Sequence, residues 1–304
     1  MIRSRVGEHP PLVSAPVGRG QREERPLNNL VVTALVGASS LVAGFLGALT
    51  GLGGVVVIVP LLALGFGVDI RYAIGASLVS VIATSSAAAA AFVKEGFSNI
   101  RIGMFLEIAT TMGALAGAAL ATRLPTSVIA VVSGLVLISS AFLSGRPREE
   151  VPADGHPDRV ATQLHLDGSF PGPAGEQSYH VQNVGTGFGL MAVAGALSGL
   201  LGIGSGAVKV LAMDHAMHIP FKVSTTTSNF MIGVTAAASA GVYLGRGYIE
   251  PALAMPVMLG VLAGSMIGAH VLVKTHAQVL RKVFAAVILV LAVEMIYNGF
   301  SGRL

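Results

Sequence analysis

Two glycine-rich turns are the segments of this sequence best suited to contact a ligand. Their candidate residues are Gly51, Gly53 and Gly54 in the first turn and Gly202, Gly204 and Ser205 in the second. Each turn separates a long apolar run from a short one, which predicts that a helix breaks there. Free peptide groups are costly in hydrocarbon, so each break should line a polar cavity within the protein. The alternative is that these small residues only allow helices to pack closely.

The short segment after each turn would begin with free N–H groups and the positive end of a helix dipole. That end of a helix favours an anion. Two breaks that face one another could therefore frame a single anion site near the middle of a bilayer.

Lys209 lies within the short apolar segment that follows the second turn. A lysine in such a segment is costly and usually faces a cavity or a partner. It could balance the charge of an anionic substrate. It could equally extend to the interface or pair with a carboxylate elsewhere in the fold.

Six consecutive polar residues, 224–229, open the next long segment. The candidates for substrate binding among them are Thr226, Thr227, Ser228 and Asn229. Hydroxyl and amide groups can donate to an oxyanion without adding charge, which would let a site bind and release it. The alternative is that the hydroxyls bond back to their own helix. Ser77 is a further candidate, because it occupies in the first half of the chain the position that Ser228 holds in the second.

A second kind of site is suggested by residues 213–218. They include Met213, Asp214, His215, Met217 and His218. These side chains could serve a metal-ion permease, although a connecting loop is the other interpretation because Pro220 and Lys222 follow. Glu107, His270 and Glu294 also lie in apolar runs and could carry protons, or could sit at the membrane interface.

Enzymatic chemistry is not predicted. Gly202, Gly204 and Gly206 follow no strand, so they do not form a dinucleotide loop. Ser205 has no oriented base nearby, and its counterpart in the first half is Gly54. The chain has no cysteine, and its mildly basic loops are typical of membrane topology. We therefore predict no catalytic residues, no cofactor, no metal site and no nucleic-acid partner.

Composition places these residues in a membrane protein. The 304-residue chain is 53% hydrophobic and 11% charged, with a mean hydropathy of +0.75, which is too apolar for a soluble globule. Runs long enough to span a bilayer occur at 30–49, 72–93, 102–122, 125–143, 184–201, 223–244, 251–273 and 279–297. Shorter apolar runs lie at 55–68 and 207–219. The predicted fold is an all-α polytopic transmembrane helical bundle with Gly-broken or re-entrant short helices.

The chain contains one unit twice, at an offset of 151 residues. Gly51 matches Gly202, Ser77 matches Ser228 and Thr84 matches Thr235 without a gap, which indicates an internal duplication. The predicted segments are a polar N-terminal tail (1–29), a first repeat (30–144), a flexible polar linker (145–183) and a second repeat (184–304). Because no secretory signal is evident, we expect a multi-pass protein of the cell membrane with a cytoplasmic tail.

Two topologies are possible for this pattern. If the short runs are re-entrant, each half has four spans, and 12 loop lysines and arginines lie inside against 6 outside. If they cross, the halves are inverted and the count is 9 and 9. The positive-inside rule favours the first arrangement, although inverted halves are common among transporters.

In these turns and in the regions around Ser77 and Ser228, the sequence resembles the sulfite exporter TauE/SafE family of membrane permeases. The resemblance covers roughly 30–143 and 184–297. Gly51, Gly53, Gly54 and Pro60 match the first family motif. Gly202 and Gly204 match the second, whereas Ser205 stands for a glycine and Leu211 for the proline. The resemblance implies secondary transport, often export, of sulfite or small organosulfur anions, without catalytic residues.

The predicted function is therefore a secondary transporter of a small anion, coupled to protons or to a membrane gradient. Its expected partners are the anion, the lipid bilayer and coupled protons. A metal-ion permease is the alternative.

Overall fold

Eight long helices carry the eight apolar runs in the part of the chain that the computed structural model describes. That part comprises residues 24–50, 57–94, 98–144, 158–172, 175–204, 206–272 and 277–301. The long helices are α1 (Glu24–Thr50), α3 (Ile70–Lys94), α4 (Ile100–Ala121), α5 (Thr126–Ser144), α7 (Val184–Leu201), α9 (Phe221–Gly245), α10 (Pro251–Leu272) and α11 (Ala277–Phe300). Within the described residues, four segments are long and apolar enough to cross a membrane: Ile70–Ala88, Ile100–Ala121, Val184–Leu201 and Pro251–Gly268. The predicted all-α polytopic bundle is confirmed.

Two short helices interrupt the long ones. They are α2 (Ile58–Pro60) and α8 (Gly206–Leu211), and each continues into one π-helical turn, at Leu61–Gly65 and Ala212–Ala216. The offset of 151 residues separates these two turns, and it separates α3 from α9 and α4 from α10 at both ends. The duplication read from the sequence is therefore repeated in the helix boundaries.

The helices of one half pack mainly against helices of the other half. α1 packs on α10, α4 on α7, α3 on α9 and α5 on α11. Backbones touch where small residues face one another. A Cβ on Gly113 or Gly117 would overlap a carbonyl oxygen of α7, and one on Gly264 would overlap a carbonyl oxygen of α1. Close approach of this kind needs glycine. The two halves are therefore interleaved.

Equivalent helices of the two halves run in opposite directions. Gly75, near the start of α3, lies against Tyr248, just beyond the end of α9. Further along α3, Ser85 lies against Gly233, nearer the middle of α9. α5 and α11 are antiparallel by the same criterion. The two halves are therefore related as an inverted repeat.

The second short helix returns the chain to the side from which α7 starts. The N–H of Gln182, just before α7, donates to the carbonyl oxygen of Met217 at 3.1 Å, and Gly187 packs against Met217. α7 and α8 thus form a hairpin with no net crossing, which leaves α9, α10 and α11 to cross in the second half. The preference for four spans per half in one common orientation is wrong.

Single-cysteine labelling tests this topology, because the chain has no native cysteine. Ser169, Arg123 and Glu250 are all exposed. We expect a membrane-impermeant maleimide to modify S169C from one face of the membrane, and R123C and E250C from the other. In the arrangement that the charge rule favours, residues 169 and 250 would share a face and residue 123 would lie opposite. Labelling of S169C and E250C from the same face would contradict the inverted repeat.

Much of the predicted flexible linker is folded. Residues 158–183 include α6 (Arg159–Gln163) and an antiparallel hairpin of β1 (Gly168–Gly172) and β2 (Gly175–Tyr179). Their buried side chains, Ala161, Leu166, Tyr179 and Val181, share a core with residues of α4, α7 and α9. The charge and proline content of the segment concealed these apolar side chains, so the prediction of a flexible linker does not hold for this part.

Candidate functional site

The second glycine-rich turn ends α7 and is buried. Gly202 caps the helix with φ +68°, and its N–H donates to the carbonyl oxygen of Ser198 at 2.8 Å. Gly204 follows with φ +72°. Both values lie in the left-handed region that favours glycine, so the predicted helix break is present. Gly51, Gly53, Gly54 and Ser205 lie outside the described residues.

The break is held between the equivalent helices α3 and α9. The Ser77 hydroxyl donates to the carbonyl oxygen of Gly202 at 2.7 Å, and the Ser228 hydroxyl donates to that of Gly206 at 3.4 Å. A helix leaves the carbonyls at its C-terminal end without partners inside the helix, and Ser77 satisfies that of Gly202. Ser228 joins α9 to the first residue of α8. The pair predicted from the repeat therefore meets at the break.

Lys209 lies just beyond the break and is fully buried. Its Nζ donates to Thr235 Oγ1 at 2.5 Å, and Thr235 Oγ1 donates to Glu107 Oε1 at 2.7 Å. The Thr111 hydroxyl also donates to Glu107 Oε1, at 3.1 Å. Of the alternatives for Lys209, the structure shows the one in which the lysine meets a carboxylate elsewhere in the fold, through the Thr235 hydroxyl.

This charged link joins the two halves and is not repeated. Glu107 comes from α4 of the first half, whereas Lys209 and Thr235 come from the second. At the equivalent repeat positions, Ile58 replaces Lys209 and Met258 replaces Glu107. Sequence reasoning singled out Glu107 and Lys209 separately but missed Thr235. The only sequence feature that pointed to Thr235 was its match to Thr84 in the first half.

The polar run on α9 is used mostly within the protein. The Thr226 hydroxyl donates to the carbonyl oxygens of Lys222 and Val223, and the Asn229 amide donates to that of Thr225. Thr227 Oγ1 accepts from the backbone N–H of Asn99 at 3.1 Å. The bonds of Thr226 and Asn229 to their own helix are common for such side chains. Thr225 Oγ1 is buried and has no hydrogen-bond partner among the described residues.

An open cavity of about 320 Å³ lies outside the bundle, at the start of α4. Ser98, Asn99, Arg101, Asp167 and Tyr179 line it. Asn99 Nδ2 donates to the Tyr179 hydroxyl at 2.7 Å, and Asn99 also contacts Thr227 of α9. Burial raises the pKa of Tyr179 to about 12, with smaller effects from Asn99 and Asp167. Tyr179 therefore stays a neutral hydroxyl, and it anchors the folded linker to the bundle.

The side chains suggested for a metal site do not converge. Met213 and Met217 are buried in an apolar core. The His215 side chain is 65% exposed, with Nε2 4.0 Å from a carboxylate oxygen of the buried Asp214. No three His, Cys, Asp or Glu side chains in the described ranges are close enough to hold a metal ion. The geometry does not favour a metal-ion permease.

The three candidate proton carriers differ in burial. Glu107 is buried, whereas Glu294 is exposed on α11. The side chain of His270 lies outside the described residues. Glu107 is therefore the candidate that reaches the interior among those described.

Comparison with known proteins adds to this geometry. The family described as Sulfite exporter TauE/SafE matches residues 36–295. The "Probable membrane transporter protein YunE" of Bacillus subtilis is 28% identical over 85% of this chain and 95% of its own length. A "Probable membrane transporter protein" of Xylella fastidiosa is 24% identical over 90% of this chain and 98% of its own length. No solved structure matches. With a family match over most of its length and an interleaved bundle of apolar helices, this chain is a membrane transporter that belongs to the sulfite exporter TauE/SafE family.

Proposed function

We propose that this chain is a secondary exporter of a small anion such as sulfite or an organosulfonate. The observation that carries the proposal is the fully buried ammonium of Lys209 beside the break at Gly202 and Gly204. The substrate would bind beside the second glycine turn, Ser77, Lys209 and the polar run of α9, with the first glycine turn included on the sequence repeat alone. The corresponding residues are Gly51, Gly53, Gly54, Ser77, Gly202, Gly204, Ser205, Lys209, Thr226, Thr227, Ser228 and Asn229.

The charge and size of these groups favour a small anion. A buried ammonium attracts an anion and repels a cation, and its field is strong where water is excluded. The second N–H of the Asn229 amide and the Thr225 hydroxyl, which has no hydrogen-bond partner among the described residues, can donate hydrogen bonds without adding charge. Binding would then stay weak enough for release. The side chains suggested for a metal do not converge, which leaves the cation alternative without support.

The inverted halves suit a transport cycle driven by a gradient. Inverted repeats let one half of a transporter rock against the other around a fixed central site. The chain has no nucleotide-binding motif, so we propose that the gradient of the anion, of protons or of voltage drives movement. We propose residence in the cell membrane with a cytoplasmic N-terminus.

Transport by the purified protein in proteoliposomes tests this function. Sulfite, sulfate and an alkanesulfonate would be loaded separately, with empty liposomes as the control and zinc as a cationic alternative. We expect efflux of at least one sulfur oxyanion above the control and no zinc movement. The absence of movement for all three anions would overturn the proposal.

A further inference from the structure

Glu107 presents a buried carboxylate oxygen that no described residue satisfies. Its side chain is 8% exposed. Oε1 accepts from Thr235 and Thr111, whereas Oε2 is buried without a hydrogen bond in the described part of the chain. Leaving a buried acceptor without a donor is costly, and more so when it carries charge. Oε2 is therefore placed to hold a proton.

The charge opposite Glu107 is the ammonium of Lys209. The two side chains share the Thr235 hydroxyl, and the charge of Glu107 acts on Lys209. While both are ionised their charges cancel. Neither can gain or lose a charge in this interior without a compensating change nearby.

Other ionisable groups lie on the helices and turns around this pair. α7, which packs on α4, has no ionisable residue between Val184 and Leu201. Arg101 and Lys222 are exposed at the starts of α4 and α9, and Tyr243 lies toward the far end of α9. On the π-helical turn after α8, Asp214 is buried and His215 is exposed.

We propose that Glu107 is the proton-coupling residue of this transporter and takes up one proton when a monovalent anion binds beside Lys209. The proposal rests on the proposed function, because it requires the anion to bind at Lys209. The entering anion replaces Glu107 as the counter-ion of the ammonium. Glu107 Oε2 then accepts a proton from solvent, the Thr235 hydroxyl keeps its bond to Oε1, and the net charge of the site stays at zero. Release of the anion returns the proton.

Proton uptake on binding is the direct test. An alkanesulfonate is the suitable probe, because it does not titrate near neutral pH and so contributes no proton of its own. Calorimetric titrations in two buffers of different ionisation enthalpy give the number of protons taken up. We expect about one proton per anion, with a dissociation constant that rises about tenfold per pH unit where Glu107 is ionised in the free protein.

Two variants identify the group that titrates. Glu107→Gln should bind the alkanesulfonate at least as tightly as the wild type, without proton uptake and without pH dependence. Glu294→Gln is the matched control on the exposed face of α11 and should keep the uptake of about one proton. Infrared difference spectra of the wild type give a readout that needs no variant: a carbonyl band from a protonated carboxyl group should appear on binding.

Different results would contradict the role of Glu107 and the proposed anion transport. Binding of the alkanesulfonate by the wild type without proton uptake, or unchanged uptake in Glu107→Gln, would overturn the role of Glu107 and leave anion transport standing. No binding or movement of alkanesulfonate, sulfate or sulfite would overturn both. Should Glu107→Gln not fold, the wild-type proton count and the infrared band decide the question.

Discussion

Replacing Lys209 with methionine should abolish anion transport and lower the stability of the protein. Methionine keeps an unbranched apolar stem but removes the ammonium group that donates to Thr235. Glu107 would then lose its buried counter-ion. Removing one partner of a buried ion pair costs about 3–5 kcal/mol. We expect efflux at the level of empty liposomes and a lower midpoint of thermal unfolding in detergent.

A double variant separates these two effects. Lys209→Met with Glu107→Gln removes both charges, so most of the lost stability should return. Transport should stay at background, because no cation remains to bind the anion. Lys222→Met is the matched control at an exposed lysine, and its transport should stay within about twofold of wild type. Recovery of transport in the double variant would contradict a role for Lys209 in binding.

Gly202→Ala should disrupt the helix break and reduce transport at least tenfold. The residue adopts φ +68°, where a Cβ costs about 1–2 kcal/mol. That Cβ would also lie 2.7 Å from Cγ2 of Ile74, and overpacking of this kind costs about 1–3 kcal/mol. Both effects would move the carbonyl that Ser77 holds. Thermal unfolding and efflux measured on the same preparation would show the two losses together.

A glycine elsewhere in the same helix provides the control. A Cβ on Gly185 in α7 would have no atom within 4 Å, so Gly185→Ala should be neutral or stabilise by up to about 1 kcal/mol. Equal stability and transport in Gly202→Ala and Gly185→Ala would contradict the constrained break.

Local patterns in the sequence predicted the elements of this fold but not their arrangement. Long apolar runs and glycine-rich turns predict helices and breaks, because both depend on neighbouring residues. Interleaving depends on which helix faces meet, and residues such as Gly113 and Ala192 are far apart in sequence. The positive-inside rule gave the wrong topology because it selects the arrangement with the larger excess of lysine and arginine on one side of the membrane. With inverted halves each side carries 9 of these residues, so there is no excess for the rule to detect.

The residue types of the candidate site could be predicted from the sequence, but not which of these residues lie close together in the fold. Lys209 stood out because a buried lysine needs a partner. Its link to Glu107 runs through Thr235, which is 128 residues from that glutamate. Such a link depends on how the halves pack, which the apolar pattern of either half does not specify. For the hydroxyls of residues 224–229, the sequence left open whether they bind a substrate or bond to their own helix. In the structure the Thr226 hydroxyl bonds to its own helix.

The interleaving of the halves also bears on how such a chain could arise. A half on its own would expose glycine-lined backbone on α1 and α4, whose partners belong to the other half. A protein made of one half could cover those faces only if it inserted into the membrane in both orientations and two oppositely oriented copies paired as a dimer. Nearly balanced loop charge is what such dual insertion requires. Fusion of the two copies then freed each half to diverge, and a single lysine and a single glutamate could appear without their mirror images.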